Sequence, residues 1–155
     1  MEIIVINGPN LNMLGKREPE IYGRLTLSEI ESLLSSSTGS LGSDVGISFF
    51  QSNSEGEIVT AIQNSYCKFD GIIINPGAYT HTSIAIRDAI LSTGIPVVEV
   101  HISNIYKRED FRQKSFVSGV SLAVVSGFGA NSYYLGLAGL VEYLRKEGAS
   151  SRVSP

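Results

Sequence analysis

Four short runs of the chain carry apolar residues on both alternating sets of positions: Ile3 to Ile6, Gly71 to Ile74, Val97 to Val100 and Leu122 to Val125. A strand apolar on both alternating sets of positions is one covered on both faces, as in a parallel sheet with helices above and below. A fifth run, Val45 to Phe50, mixes in polar positions and suits a sheet edge. Between these runs apolar residues recur at helical spacing. Thr26 and Glu29 make a capping box ahead of Leu27, Ile30, Leu33 and Leu34, and Ser54 and Glu57 repeat it ahead of Ile58, Ala61 and Ile62. Thr82 is placed to cap a helix carrying Ile86, Ala89 and Ile90, and the last helix puts Leu137, Leu140, Val141 and Leu144 on one stripe. The Ser/Gly-rich run from Ser35 to Ser43 reads as a loop.

The resulting order is β-α five times over. It predicts right-handed crossovers and an α/β fold: a three-layer, doubly wound, five-stranded parallel sheet with the flavodoxin-like strand order 2-1-3-4-5. No repeat or linker divides the chain, so residues 1–148 read as one domain and 149–155 as a flexible C-terminal tail.

Composition narrows the function classes. The chain has 155 residues, 43% hydrophobic and 17% charged, with mean hydropathy +0.13. That is too apolar for disorder, and no run is long enough to span a membrane. Twelve basic against fifteen acidic side chains leave a net charge of −3, which speaks against nucleic acid as a partner. A lone Cys67 makes no internal disulfide, and Met1 leads into a strand without a leader-like segment, so a reducing cytoplasm is expected. A surface this poor in charge also hints that copies of the chain cover part of it.

Ligands of open α/β sheets bind at the carboxyl ends of the strands, and there the chain concentrates its polar residues. Asn7, Gly8, Pro9, Asn10 and Asn12 follow the first strand, and Gln51, Ser52 and Asn53 the second. Asn75, Pro76, Gly77 and His81 follow the third, and Glu99, His101, Ser103 and Asn104 close the fourth. Each one has a plain reading in turn and cap chemistry, but their convergence points to a site. Glu99 and His101 stand two apart and share a strand face, so the carboxylate can fix the imidazole's tautomer and raise its basicity, as a general acid near neutral pH needs. A core Glu-His pair without a task is the alternative. His81, at a helix start, is expected to stay neutral and to donate a hydrogen bond to a substrate carboxylate or hydroxyl. The loop from Leu14 to Arg24 is long for a βα connection and carries Arg17 and Tyr22, as lids do. For Tyr22 to act as a base, its pKa of about 10 must fall by ~2 to 3 units, about 3 to 4 kcal/mol of phenolate stabilisation. One cation in a closed site can supply that. Without such a partner, a surface loop with its aromatic packed down is the simpler account. Arg108 and Arg112, four apart on a short helical segment, either pair with Glu109 and Asp110 or reach the site.

The stretches INGPNLNMLGKREPEIYG (6–23), QSNSEGE (51–57), NPGAYTHTSIAIRDA (75–89) and EVHISNIYKREDFR (99–112) resemble the type II 3-dehydroquinate dehydratases. The resemblance implies a cytoplasmic hydro-lyase that converts 3-dehydroquinate into 3-dehydroshikimate by anti elimination through an enolate. Its place would be the shikimate pathway or quinate breakdown. It implies no metal or cofactor and a homododecamer, a tetramer of trimers. Residue by residue, it makes Tyr22 the base at C2, with Arg17 keeping the phenol ionised. His101 becomes the acid for the departing C1 hydroxyl, oriented by Glu99, and Asn10 holds the water that stabilises the enolate. Asn75, Gly77, His81, Ile102, Ser103 and Arg112 would bind substrate, Asp88 would approach from a neighbouring subunit, and Arg108 would support the lid. The stretch 115–121 (SFVSGVS), with Gly119, departs from the family's habit and is expected to touch no catalytic position.

Three other classes make weaker use of the same residues. An FMN carrier needs a hydroxyl-rich phosphate turn after strand 1, where Pro9, Leu11 and Leu14 stand. A receiver module needs Asp where Asn75 ends strand 3. Metal hydrolysis would draw on His81, Asp88, Glu99 and His101, but Glu99 is better used on His101. None of the five lysines lies in an apolar strand, where Schiff-base chemistry would want one.

Overall fold

The computed structural model describes residues 1–16 and 24–150, with the side chains of 149 and 150 left aside. Five strands form one sheet: β1 (Glu2–Asn7), β2 (Gly46–Gln51), β3 (Gly71–Asn75), β4 (Val97–His101) and β5 (Ala123–Ser126). All pairings are parallel and the order is β2-β1-β3-β4-β5, the flavodoxin-like arrangement that the sequence predicts. Among the described residues four α-helices accompany it: α1 (Leu27–Leu41), α2 (Glu55–Ser65), α3 (Ile84–Thr93) and α4 (Asn131–Ser150).

Strand alternation builds two cores. Ile3, Val5, Ile73, Val98 and Val100 face one way and pack with Ile30 and Leu34 of α1 and Tyr133, Leu137, Leu140 and Val141 of α4. Ile4, Ile6, Ile72, Ile74 and Val97 face the other way and meet Ile58 and Ile62 of α2 with Ile86, Ala89 and Ile90 of α3. Cover on both sides is why the three central strands are apolar on both faces, with polar residues gathered toward their carboxyl ends.

Several expectations need correction. Ser35 to Leu41 are helical, not a loop. Their hydroxyls bond back to carbonyls three or four residues earlier (Ser35 to Glu31 at 2.8 Å, Ser37 to Leu34 at 2.8 Å), so they are satisfied within the helix instead of drawing the backbone into a turn. The helix stops at Gly42. Thr26 and Glu29 form the full capping box, but at α2 only Ser54 caps, because the Glu57 carboxylate is taken by Ser52 Oγ. Ser83, not Thr82, caps α3, accepting Ile86 N–H at 2.9 Å. No α-helix follows β4; three short 3-10 turns do, Ile105–Lys107, Asp110–Arg112 and Ser118–Val120. β5 is not covered on both faces: it is an edge, and Leu122 and Val124 stay exposed. α4 runs to Ser150, past the expected domain end at 148, and 151–155 lie outside the described residues.

Candidate active site

A cleft of about 130 Å³ opens at the carboxyl ends of β1, β3 and β4. Its first wall is the turn after β1. Gly8 N–H donates to Asn75 O at 2.7 Å, and a β-carbon at Gly8 would overlap the Pro76 carbonyl, so the tips of β1 and β3 are in backbone contact. Asn10 follows with φ 67°, a left-handed conformation that asparagine tolerates, and its N–H donates to Asn53 Oδ1 at 2.9 Å. Gly77 lies across the cleft at φ 57°.

Asn75 ends β3 opposite Asn7 of β1, and both are buried. Gly77 N–H donates to Asn75 Oδ1 at 3.2 Å, which fixes the amide: its Nδ2 must be the group facing Tyr133 Oη at 2.8 Å. Tyr133 therefore spends its own proton on Asn7 Oδ1, 2.7 Å away. Burial pushes the Tyr133 phenol well above the ordinary tyrosine range, so it stays a donor. The sequence signalled nothing of this chain, since Tyr133 reads there only as part of an apolar helix.

Glu99 and His101 share the opposite sheet face, as their spacing predicts. Glu99 is fully buried and His101 is 5% exposed, with His101 Nε2 2.7 Å from Glu99 Oε1. Burial works to raise the Glu99 pKa, but hydrogen bonds from His101, Ser118 and Thr80 and the charge of His101 outweigh it and hold the carboxyl below its ordinary range. A carboxylate can only accept, so Nε2 carries a proton and Nδ1 is left for whatever occupies the cleft. The expectation that 115–121 touches no catalytic position is wrong: Ser118 Oγ donates to Glu99 Oε2, and Ser115 Oγ lies 3.2 and 3.3 Å from its two oxygens. Thr80, Ser115 and Ser118 went unrecognised because serine and threonine carry no spacing signal that separates a turn from a carboxylate partner.

His81 closes the 3-10 turn Gly77–His81, three residues ahead of α3. Burial lowers its pKa, with the charges of His101 and Arg112 adding to the effect; the expected helix-dipole cause is not needed. Its Nδ1 is 2.8 Å from Lys114 O, so Nδ1 holds the proton and the neutral ring offers Nε2 as an acceptor. It can take a hydrogen bond from a hydroxyl, not give one to a carboxylate as expected. Arg108 caps the turn Ile105–Lys107 and Arg112 ends the turn Asp110–Arg112, yet both line the cleft, with their Nε atoms 3.6 and 3.2 Å from Glu109 Oε2. Ile102 and Ser103 complete the wall. Asp88 is exposed on α3, away from this chain's cleft. Arg17 and Tyr22 lie outside the described residues. Among the described residues no three His, Cys, Asp or Glu side chains converge as metal ligands would.

The arrangement thus offers one buried imidazole-carboxylate pair, a neutral imidazole acceptor, two guanidinium groups and an oriented amide within one small cleft. Residues 1–141 match the family model described as dehydroquinase class II. A 3-dehydroquinate dehydratase of Prochlorococcus marinus (strain NATL1A) is 59% identical over 146 residues, covering 94% of this chain and 99% of that protein. One from Carboxydothermus hydrogenoformans is 54% identical over 155 residues, covering 98% and 99%. The crystal structure of the type II dehydroquinase from Butyrivibrio crossotus superposes with a TM-score of 0.87 at 44% identity, covering 90% of this chain and 97% of that one.

Proposed function

The chain belongs to the class II dehydroquinase family, and from that premise we propose that its cleft dehydrates 3-dehydroquinate to 3-dehydroshikimate by anti elimination through an enolate. The observation that carries this is the buried Glu99–His101 pair at the base of a small polar cleft. With Nε2–H held by Glu99, a protonated His101 gives its Nδ1 proton to the C1 hydroxyl as the C–O bond breaks, and the carboxylate stabilises the imidazolium until then. Tyr22 takes the C2 proton, and Arg17 stabilises its phenolate. The electron pair released at C2 rests on the carbonyl oxygen as an enolate, through a water held by Asn10, before it expels the leaving group.

Arg112 and the backbone of Ile102 and Ser103 hold the substrate, Asn75 donates to one of its oxygen atoms beside Gly77, and His81 accepts from a hydroxyl. Arg108 supports the closed loop. Copies of the chain assemble as a homododecamer in the cytoplasm, which would cover Phe111, Phe128, Leu91 and Ile84, 68%, 64%, 58% and 57% exposed here, and bring Asp88 to a neighbour's cleft. The test is the enone absorbance of the product with purified protein. Conversion by wild type with loss in Tyr22→Phe and in His101→Ala supports the proposal. Silence of wild type, or full activity in either variant, refutes it.

A further inference from the structure

Glu99 carries more hydrogen bonds than holding one imidazole requires. Its Oε1 receives His101 and Thr80, and its Oε2 receives Ser118. Because the Thr80 proton is committed to the carboxylate, the single Ser115 proton is shared between Thr80 Oγ1 at 2.7 Å and the more distant Glu99 oxygens at 3.2 and 3.3 Å. Ser115 Oγ in turn accepts Val117 N–H at 3.0 Å and Ser118 N–H at 2.8 Å, folding the turn that carries Ser118. Phe116 N–H donates to Thr80 O at 2.8 Å, which locks the two donor segments together.

We infer that Thr80 and Ser118 are positioning residues that keep the shared proton of the Glu99–His101 pair on the imidazole, so that the cleft meets an imidazolium with an acidic Nδ1–H. The inference rests on the proposed role of His101 as the acid. At the protonation state needed for turnover the pair has two arrangements. In one, Glu99 is a carboxylate and His101 holds protons on both nitrogens. In the other, the Nε2 proton has crossed to Glu99, and a neutral ring holds an Nδ1–H too weakly acidic to release. Burial favours the neutral arrangement, and hydrogen bonds donated to the carboxylate favour the ionic one. Among the described residues, the charged and titratable side chains that share the cleft with the pair are His81, Arg108 and Arg112. His81 is held neutral by burial, and both arginines approach Glu109. The two hydroxyls are thus the groups that tip the balance at Glu99 itself.

Ser118→Ala, the isosteric Thr80→Val, and Ser118→Thr as hydroxyl-preserving control test this with two readouts. The first is a nitrogen-15 NMR titration of the two histidine rings in ligand-free protein, with His81→Asn used for assignment. In Ser118→Ala and Thr80→Val the midpoint of the pair should rise by about one pH unit, because the unprotonated state loses a donor to its bare carboxylate. Below that midpoint the His101 ring should show a neutral rather than a doubly protonated signature. The second readout is kcat with 3-dehydroquinate, expected to fall about tenfold with KM within twofold. Ser118→Thr should restore both. An unchanged ring titration accompanied only by a lower melting temperature overturns the inference, as does a Ser118→Thr variant that behaves like alanine. If Ser118→Ala does not fold, Thr80→Val decides. If wild type does not dehydrate the substrate, the proposed function fails while the ring titration still judges the proton's place.

Discussion

Tyr133→Phe removes one oxygen atom, and the consequence can be worked through the amide chain it joins. In the native protein Tyr133 accepts from Asn75 Nδ2 at 2.8 Å and donates to Asn7 Oδ1 at 2.7 Å, with all three side chains buried. Asn7 Nδ2 already has no hydrogen-bond partner among the described residues. The variant therefore strands the Asn7 amide at both ends and leaves one Asn75 proton unpaired. A buried donor or acceptor without a partner costs about 1 to 3 kcal/mol, so the two new vacancies together cost about 3 kcal/mol. For a chain of this size that is a fall in Tm of about 6 to 12 °C, measured by circular dichroism at matched protein concentration because assembly shifts apparent stability. Asn75 also keeps only Gly77 to hold its amide, so KM should rise several-fold while kcat changes less than twofold. Adding Asn7→Leu, which replaces the stranded amide with an apolar group of similar size, should recover part of the loss. A fall in stability below about 0.5 kcal/mol, or a second substitution that only adds damage, would refute the directional chain.

Glu99→Gln keeps the shape of the pair but removes the charge that holds an imidazolium, so kcat should drop about a hundredfold with little change in KM, as steady-state rates will show. Gly8→Ala drives a β-carbon into the Pro76 carbonyl, and the tips of β1 and β3 must part; a loss of about 1 to 3 kcal/mol in urea unfolding is expected, with reduced turnover. Two groups at the site contribute to the acid side of the stability profile. The folded pKa of His81 lies below its unfolded value of 6.5, so the unfolded chain binds the proton first and stability declines as pH falls below about 6.5. Glu99, with its folded pKa below 4.5, contributes stability above that pH and loses it as pH falls through the folded value. Urea midpoints should fall in both windows, and His81→Asn should flatten the upper one only.

Much of the architecture follows from local patterns. The doubly apolar runs of β1, β3 and β4 define central strands, because a strand needs such a pattern only when helices cover both faces, and the mixed pattern of β2 places it at an edge. The same logic overreads Leu122 to Val125, whose apolarity belongs to a sheet edge with exposed side chains. It underreads Ser35 to Leu41, where serine composition suggests a loop but hydroxyls bonded to the helix's own carbonyls let the helix continue. The Glu99–His101 pair was legible because an extended backbone puts residues two apart on one face. What surrounds it was not, because Thr80 and Ser118 reach Glu99 across 19 residues in either direction, a distance at which no spacing rule operates.

The chain by itself determined its layers, its central strands and the edge where function gathers, because periodicity of burial is written residue by residue. Only the tertiary structure decided which way each polar group points. The Gly77 amide orients Asn75 and through it Tyr133 and Asn7, and the Lys114 carbonyl turns His81 from an expected donor into an acceptor. Hydrogen-bond direction depends on the partner at the other end, and folding supplies that partner from a distant part of the chain.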